Sequence, residues 1–108
     1  EVGVDGTVRE QVVRLSQLAA TAGCHGVVAS AQEAALVREV LPATALIVTP
    51  GVQLAGDDQT DQVRVSSPGE AIRAGATHLV IGRSITRSPG PVAALRTARA
   101  QVASALSA

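Results

Sequence analysis

The sequence predicts an α/β fold, in which helices alternate with the strands of a parallel sheet. Helical and strand-like segments follow one another without exception along the 108 residues. The strand-like segments are continuous apolar runs, a pattern typical of strands that are buried on both faces of a parallel sheet. Because the chain has no aromatic residue and no methionine, its core has to be built from Ala, Val, Leu and Ile. This length fits a single domain over residues 1–108.

Four helices are predicted, and three of them begin with a capping box. In each box, a serine or threonine precedes a glutamate by three residues, so that the two side chains can satisfy the first free amides of the helix. The pairs are Thr7 with Glu10, Ser30 with Glu33, and Ser67 with Glu70. Gly23, Pro42 and Gly75 are expected to end these helices. The fourth helix begins near Pro91.

The first helix carries an apolar stripe that is expected to face inward, formed by Val12, Leu15, Leu18 and Ala19. Three strands are predicted between the helices, since apolar runs of this length suit strands better than helices. They lie in "CHGVVAS" (24–30), "ALIVTPG" (45–51) and "THLVIGRS" (77–84).

A long polar loop, "VQLAGDDQTDQ", follows the second strand, and "VRV" after it is a candidate for a further short extended segment. A parallel sheet of only three strands has two open edges and uncovered apolar surface. We therefore expect something to cover it.

Composition excludes several function classes. Nine basic and nine acidic residues balance, and the basic residues form no run, so nucleic-acid binding is disfavoured. No apolar stretch is long enough to cross a membrane and the first residues do not resemble a signal peptide, so a cytoplasmic location is expected. The single cysteine, Cys24, cannot form an intrachain disulfide or a thiol zinc pair, and no metal site is expected. The absence of lysine excludes Schiff-base chemistry and P-loop phosphate binding.

Candidate ligand-binding residues follow the three strands, because in parallel α/β units ligands bind at the carboxyl ends of the strands. They are Ser30, the segment Thr49–Gly51, and the pair Gly82 and Arg83. A glycine at such a turn lets a ligand approach the backbone, and a guanidinium can form two parallel bonds to phosphate oxygens. Arg83 after a tight turn is equally compatible with an ordinary surface arginine, and Ser30 with a helix cap.

The remaining polar residues favour structural roles. Asp57, Asp58 and Asp61 lie in the polar loop, where carboxylates are usually solvated, and Cys24, His25 and His78 lie at strand starts, away from the ligand side.

Four segments together resemble the carboxyl-terminal half of bacterial orotidine 5′-monophosphate decarboxylases. They are "GVVASAQEA", "LIVTPGV", "DDQTDQVRV" and "SSPGEAIRAGATHLVIGRSIT", in the family's order and spacing. The resemblance implies part of a TIM (β/α)8 barrel with about three parallel strands and four helices. It also implies a homodimer and cofactor-free conversion of orotidine 5′-monophosphate (OMP) to UMP and CO2.

The same resemblance assigns roles to single residues. Ser30 resembles the serine that bonds the pyrimidine ring, and Gly82 with Arg83 resembles the phosphate-binding pair. Pro50 and Gly51 look like the start of the family's phosphate-side loop.

The chain departs from the family pattern at three positions. Gln53 stands where the family has an arginine, Ala55 where it has a glutamine, and Ser84 where a proline follows the phosphate-binding arginine. The family's aspartate and lysine network belongs to the amino-terminal half, and these 108 residues contain no lysine. No residue here is expected to be catalytic, and the chain alone is expected not to decarboxylate OMP.

Three functions therefore stand as alternatives. The chain is the nucleotide-binding half of a decarboxylase, or a half-barrel that self-associates or pairs with a complementary half, or an unrelated small α/β binding domain. A nucleotide monophosphate is the expected ligand of the first, and neither nucleic acid nor membrane is an expected partner.

Overall fold

The computed structural model describes residues 7–54 and 66–107, which contain five helices and three strands. Along the chain, helices and strands follow one another in the predicted order. The structure adds one helix to the four expected, the four-residue α4 between β3 and α5. The elements are α1 (Val8–Thr21), β1 (Gly26–Val28), α2 (Ala31–Val40), β2 (Leu46–Thr49), α3 (Pro68–Ala74), β3 (His78–Leu79), α4 (Arg83–Thr86) and α5 (Pro91–Ser107).

The three strands form a parallel sheet in the order β1-β2-β3. Val27 is paired with Ile47, and Val48 is paired with His78. The predicted α/β class is therefore confirmed, although the strands are shorter than the apolar runs that predicted them. The third run contributes only two residues to the sheet, His78 and Leu79.

Two of the three predicted capping boxes are present. The Thr7 and Glu10 pair starts α1, and the Ser67 and Glu70 pair starts α3, each with reciprocal backbone and side-chain hydrogen bonds. The third box is wrong in its detail. Ser30 is the N-cap residue of α2, but its hydroxyl makes no cap hydrogen bond to the backbone.

The core lies on one face of the sheet, where α1, α2 and α3 cover the strands. Ile47 is fully buried there beside Ala34 and Val37, and a second cluster forms around Val52 and Ala71. These residues are small, so helices and sheet approach closely and fill the space without any aromatic ring.

The predicted inward stripe of α1 is partly wrong. Leu15 and Leu18 are 53% and 63% exposed, while Val12 and Ala20 pack against the core and Ser16 is buried. The helix is rotated so that its smaller residues face the sheet.

The opposite face of the sheet is uncovered in the described part of the chain. Strand residues alternate between the two faces, so Val28, Leu46 and Val80 point away from the helices. They are 72%, 42% and 51% exposed. Within residues 7–54 and 66–107, the sheet thus has the apolar surface and open edges expected of three strands.

Several predictions fall on residues 55–65, outside the described residues: "VRV", the three loop aspartates and Ala55.

The described helices include none that is long and apolar enough to span a membrane. Across residues 7–54 and 66–107, no group of three His, Cys, Asp or Glu side chains is placed to hold a metal ion.

Candidate functional site at the carboxyl edge of the sheet

The carboxyl ends of the three strands meet at one edge of the sheet. The backbone ladder continues one residue past the strands, where Ala29 N–H donates to the Val48 carbonyl at 3.0 Å and Val80 N–H donates to the Thr49 carbonyl at 2.9 Å. The segments that follow the strands therefore leave the sheet side by side. They contain all five predicted ligand residues: Ser30, Pro50, Gly51, Gly82 and Arg83.

Ser30 lies between β1 and α2 and is half-buried. Its backbone is extended, with φ −67° and ψ 161°, and its Oγ donates a hydrogen bond to Glu33 Oε1 at 2.8 Å. The cap interpretation of this serine is weakened because the hydroxyl does not accept from a helix amide. Its oxygen retains acceptor capacity, since a hydroxyl has two lone pairs.

Gly51 makes the turn after β2. Its φ of +74° lies in the left-handed region, which glycine adopts without the steric cost that a side chain would bring. The turn leads into a short parallel bridge, in which Gln53 N–H donates to the Ser66 carbonyl at 2.9 Å and Ser66 N–H donates to the Gly51 carbonyl at 3.2 Å. Pro50, before the turn, is exposed.

Gly82 and Arg83 make the turn after β3. The Gly82 carbonyl accepts hydrogen bonds from Ile85 N–H at 2.9 Å and Thr86 N–H at 3.1 Å, which starts α4. A Cβ on Gly82 would have no heavy atom within 4 Å among its described neighbours, so the space beside its backbone is open. Arg83, the first residue of α4, is exposed.

Ser84 joins the turns after β2 and β3, a role that no feature of the sequence predicts. Leu54 N–H donates to Ser84 Oγ at 2.8 Å, in a partly buried position. The two residues are 30 positions apart, so no local sequence pattern could have identified the pair. The contact holds Gly51–Leu54 against the first turn of α4.

Buried polar atoms accompany these turns. Thr49 Oγ1, Gln53 Oε1 and Ser66 Oγ are buried and have no hydrogen-bond partner within the described ranges. Thr49 is fully buried and, like Ile47 two residues before it, points toward the helices. Thr49 therefore faces away from the open side of the sheet, although its position after β2 made it a candidate ligand-binding residue.

The amino edge of the sheet holds the residues for which the sequence favoured structural roles. His78 Nδ1 lies 3.0 Å from Thr77 Oγ1, and Cys24 is an exposed free thiol. Both lie at the opposite end of the strands from Arg83.

Comparison with known proteins places this arrangement in a family. The family model described as "Orotidine 5′-phosphate decarboxylase / HUMPS family" matches residues 1–98. The orotidine 5′-phosphate decarboxylase of Moorella thermoacetica is 52% identical over 102 residues, which cover 94% of this chain and 40% of that protein. The enzyme of the same name from Nitrosomonas europaea is 49% identical over 106 residues, covering 98% and 46%.

Solved structures described as orotidine 5′-phosphate decarboxylases share this fold. An orotidine 5′-phosphate decarboxylase from Lactobacillus acidophilus superposes with a TM-score of 0.75 at 28% identity, over 93% of this chain and 40% of that one. The Pyrococcus horikoshii structure of the same name, at 21% identity and a TM-score of 0.70, supports the fold alone. The chain spans less than half the length of these relatives, and its fold is part of a TIM barrel. By the family match over nearly its whole length, this chain belongs to the orotidine 5′-phosphate decarboxylase / HUMPS family.

Proposed function

We propose that residues 1–108 form a single domain, the carboxyl-terminal half-barrel of an orotidine 5′-monophosphate decarboxylase. It contributes the phosphate- and pyrimidine-binding side of the site in de novo pyrimidine biosynthesis, in the cytoplasm. Gly82 and Arg83 bind the phosphate of OMP or UMP, Pro50 and Gly51 form the facing turn, and Ser30 bonds the pyrimidine ring.

The observation that carries this proposal is the shared edge of the sheet. Three segments that are far apart in sequence each follow a strand, and parallel pairing in the order β1-β2-β3 brings them to one side. Arg83 is an exposed residue, and the open space beside the backbone of Gly82 leaves room for an anion. Arginine suits phosphate because two of its N–H groups can bond two oxygens in parallel.

The chemistry of decarboxylation requires more than this edge supplies. Loss of CO2 leaves a carbanion, which has to be stabilised by fixed charges and then protonated by a positioned acid. No lysine is present in the 108 residues. We therefore propose that the chain by itself binds the nucleotide without converting it.

Calorimetric titration with UMP tests the binding role. We expect Arg83→Ala to weaken UMP binding about 10-fold to 100-fold, as expected for the loss of a charge-assisted pair of hydrogen bonds. Arg96→Ala is the matched control, because it removes the same charge from an exposed position on α5. Equal UMP affinity in the Arg83 and Arg96 variants would contradict the proposal.

Incubation with OMP tests the absence of turnover. The purified chain should release no UMP above the uncatalysed background, measured by chromatography at enzyme concentrations well above the ligand concentration. Appreciable turnover by the pure chain would show that the missing lysine is not needed.

A second candidate function is assembly, either with another copy or with a complementary half-barrel. The uncovered apolar face of the sheet favours it, because Val28 and Val80 are more than half exposed there. Two copies in a closed symmetric dimer would cover each other's open face and edges.

Light scattering over a range of protein concentrations tests self-association. We expect a mass above that of one 10.8 kDa chain, and we expect Val28→Asp to reduce it to the monomer. Val92→Asp is the control, since Val92 is 64% exposed on α5 and lies away from the sheet face. A well-folded wild-type monomer at every concentration would rule out self-association.

A further inference from the structure

We propose that Ser84 is a positioning residue of the nucleotide site. Its hydroxyl holds the turn after β2 at a fixed distance from the phosphate-binding turn after β3. This inference rests on the proposed function and adds to it a residue that does not itself contact the ligand.

The geometry begins with a single hydrogen bond. Leu54 N–H donates to Ser84 Oγ at 2.8 Å in a partly buried position. If Ser84 lost its hydroxyl, the Leu54 amide would lose this hydrogen bond. Leaving a partly buried amide unpaired costs folding free energy. The hydroxyl of Ser84 is therefore needed where it lies.

The segment Gly51–Leu54 is held from both sides. Ser84 fixes its last residue, and the backbone of Ser66 pairs with Gly51 and Gln53 through hydrogen bonds of 3.2 and 2.9 Å. The left-handed Gly51 then sets the direction of the turn itself. Removing the Ser84 contact frees one end of the segment and leaves the other in place.

Ser84 also follows Arg83 directly in the first turn of α4. One residue thus connects the backbone of the β2 turn to the helix that carries the phosphate-binding guanidinium. A ligand that binds between two turns loses less affinity to ordering when the turns are already fixed in place.

Three variants test the inference by two readouts. Amide exchange at Leu54, followed by NMR, reports the hydrogen bond, and titration with UMP and with inorganic phosphate reports the site. We expect Ser84→Ala to accelerate Leu54 exchange and to weaken both ligands about 3-fold to 10-fold. Ser84→Thr keeps the hydroxyl and should restore exchange and affinity, which a purely structural loss of packing would not explain.

Ser88→Ala is the matched control. It also removes a buried serine hydroxyl that has no partner in the described ranges, from a residue that follows α4 and belongs to neither turn. We expect it to leave Leu54 exchange and UMP affinity unchanged. Far-UV circular dichroism of each variant is the check that the fold is retained.

The outcomes separate this inference from the proposed function. Unchanged Leu54 exchange or unchanged UMP affinity in Ser84→Ala overturns the positioning role, even where Arg83→Ala abolishes binding. If the wild-type chain binds no UMP, or if Arg83→Ala binds it normally, the proposed function fails and the positioning role fails with it, whatever amide exchange reports about the Leu54 bond.

Discussion

The two edges of the sheet use their polar groups in different ways. At the amino edge the groups bond to the protein itself. The Arg38 guanidinium donates to the carbonyls of Pro42 at 3.2 Å, Ala43 at 3.4 Å and Gly75 at 3.1 Å, which ties the ends of α2 and α3 together. Thr77 adds to this, because its hydroxyl accepts from Ile47 N–H at 2.9 Å.

At the carboxyl edge the hydroxyls of Ser30 and Ser84 also bond to the protein, but the turn after β3 is exposed. Arg83 is exposed and Gly82 has open space beside its backbone. The two arginines therefore differ in position and exposure: Arg38 donates to three backbone carbonyls at the amino edge, whereas Arg83 is exposed at the edge where we propose that the ligand binds. In barrels of parallel strands, stability and catalysis are commonly divided between the two edges in this way.

The largest expected effect on stability is at the start of β1. A Cβ on Gly26 would overlap the carbonyl oxygen of Leu46, so Gly26→Ala forces the first two strands apart. We expect a loss of about 1–3 kcal/mol in the free energy of unfolding, as for other overpacked sites. Urea denaturation followed by circular dichroism measures it.

Gly90→Ala is the control for this change. A Cβ there would meet only Ala93 Cβ at 3.7 Å, an ordinary contact. An equal loss of stability in both variants would show that close approach of β1 and β2 is not the cause.

Replacing the arginine at each edge of the sheet is expected to have the next largest effects on stability. Arg38→Ala should lower the free energy of unfolding by about 1–2 kcal/mol, because three carbonyls lose a charged donor. Arg83→Ala should change it by less than about 0.5 kcal/mol, as is usual for an exposed residue. The comparison between the edges breaks down if Arg83→Ala is the more destabilising of the two.

The smallest expected effect is the pH dependence at the start of α3. Hydrogen bonds from the Ser67 backbone amide and side chain hold the pKa of Glu70 below its ordinary value, and Arg73 lowers it further despite some desolvation. A folded pKa below the unfolded one gives stability that is present above the unfolded pKa. That stability is lost as the pH falls through the folded pKa.

Glu70→Gln should therefore cost stability at neutral pH, and its difference from the wild type should shrink in acid. Glutamine can still occupy this position of the box, so the comparison isolates the charge. Thermal unfolding of both proteins between neutral pH and the acid range measures the difference, with Glu39→Gln on α2 as control. If the stability difference between Glu70→Gln and the wild type grew as the pH fell, it would contradict a lowered pKa of Glu70.

Local chemistry explains most of what the sequence could predict. The boxes at Thr7 and Ser67 need only a residue three positions away, and both are present. The box at Ser30 is wrong because the Glu33 carboxylate takes the serine hydroxyl for itself. Element order and the shared edge of the strand ends follow from the alternation of helices with apolar runs.

What the sequence could not predict depends on distant residues. The rotation of α1, which leaves Leu15 and Leu18 exposed, is set by the small residues of the sheet and α2 against which it packs. The contact of Ser84 with Leu54 joins two loops that are 30 residues apart. Neither has a signature in spacing or composition.

The one-sided core has a thermodynamic consequence. Unfolding raises the heat capacity chiefly by exposing apolar surface, and a domain of this length ordinarily gains about 1.4 kcal/mol/K. Val28, Leu46 and Val80 are already partly in contact with water in the folded chain, so each adds less to that change than a fully buried residue would. The unassembled chain should have a flatter curve of stability against temperature, and covering its open face should make the curve steeper.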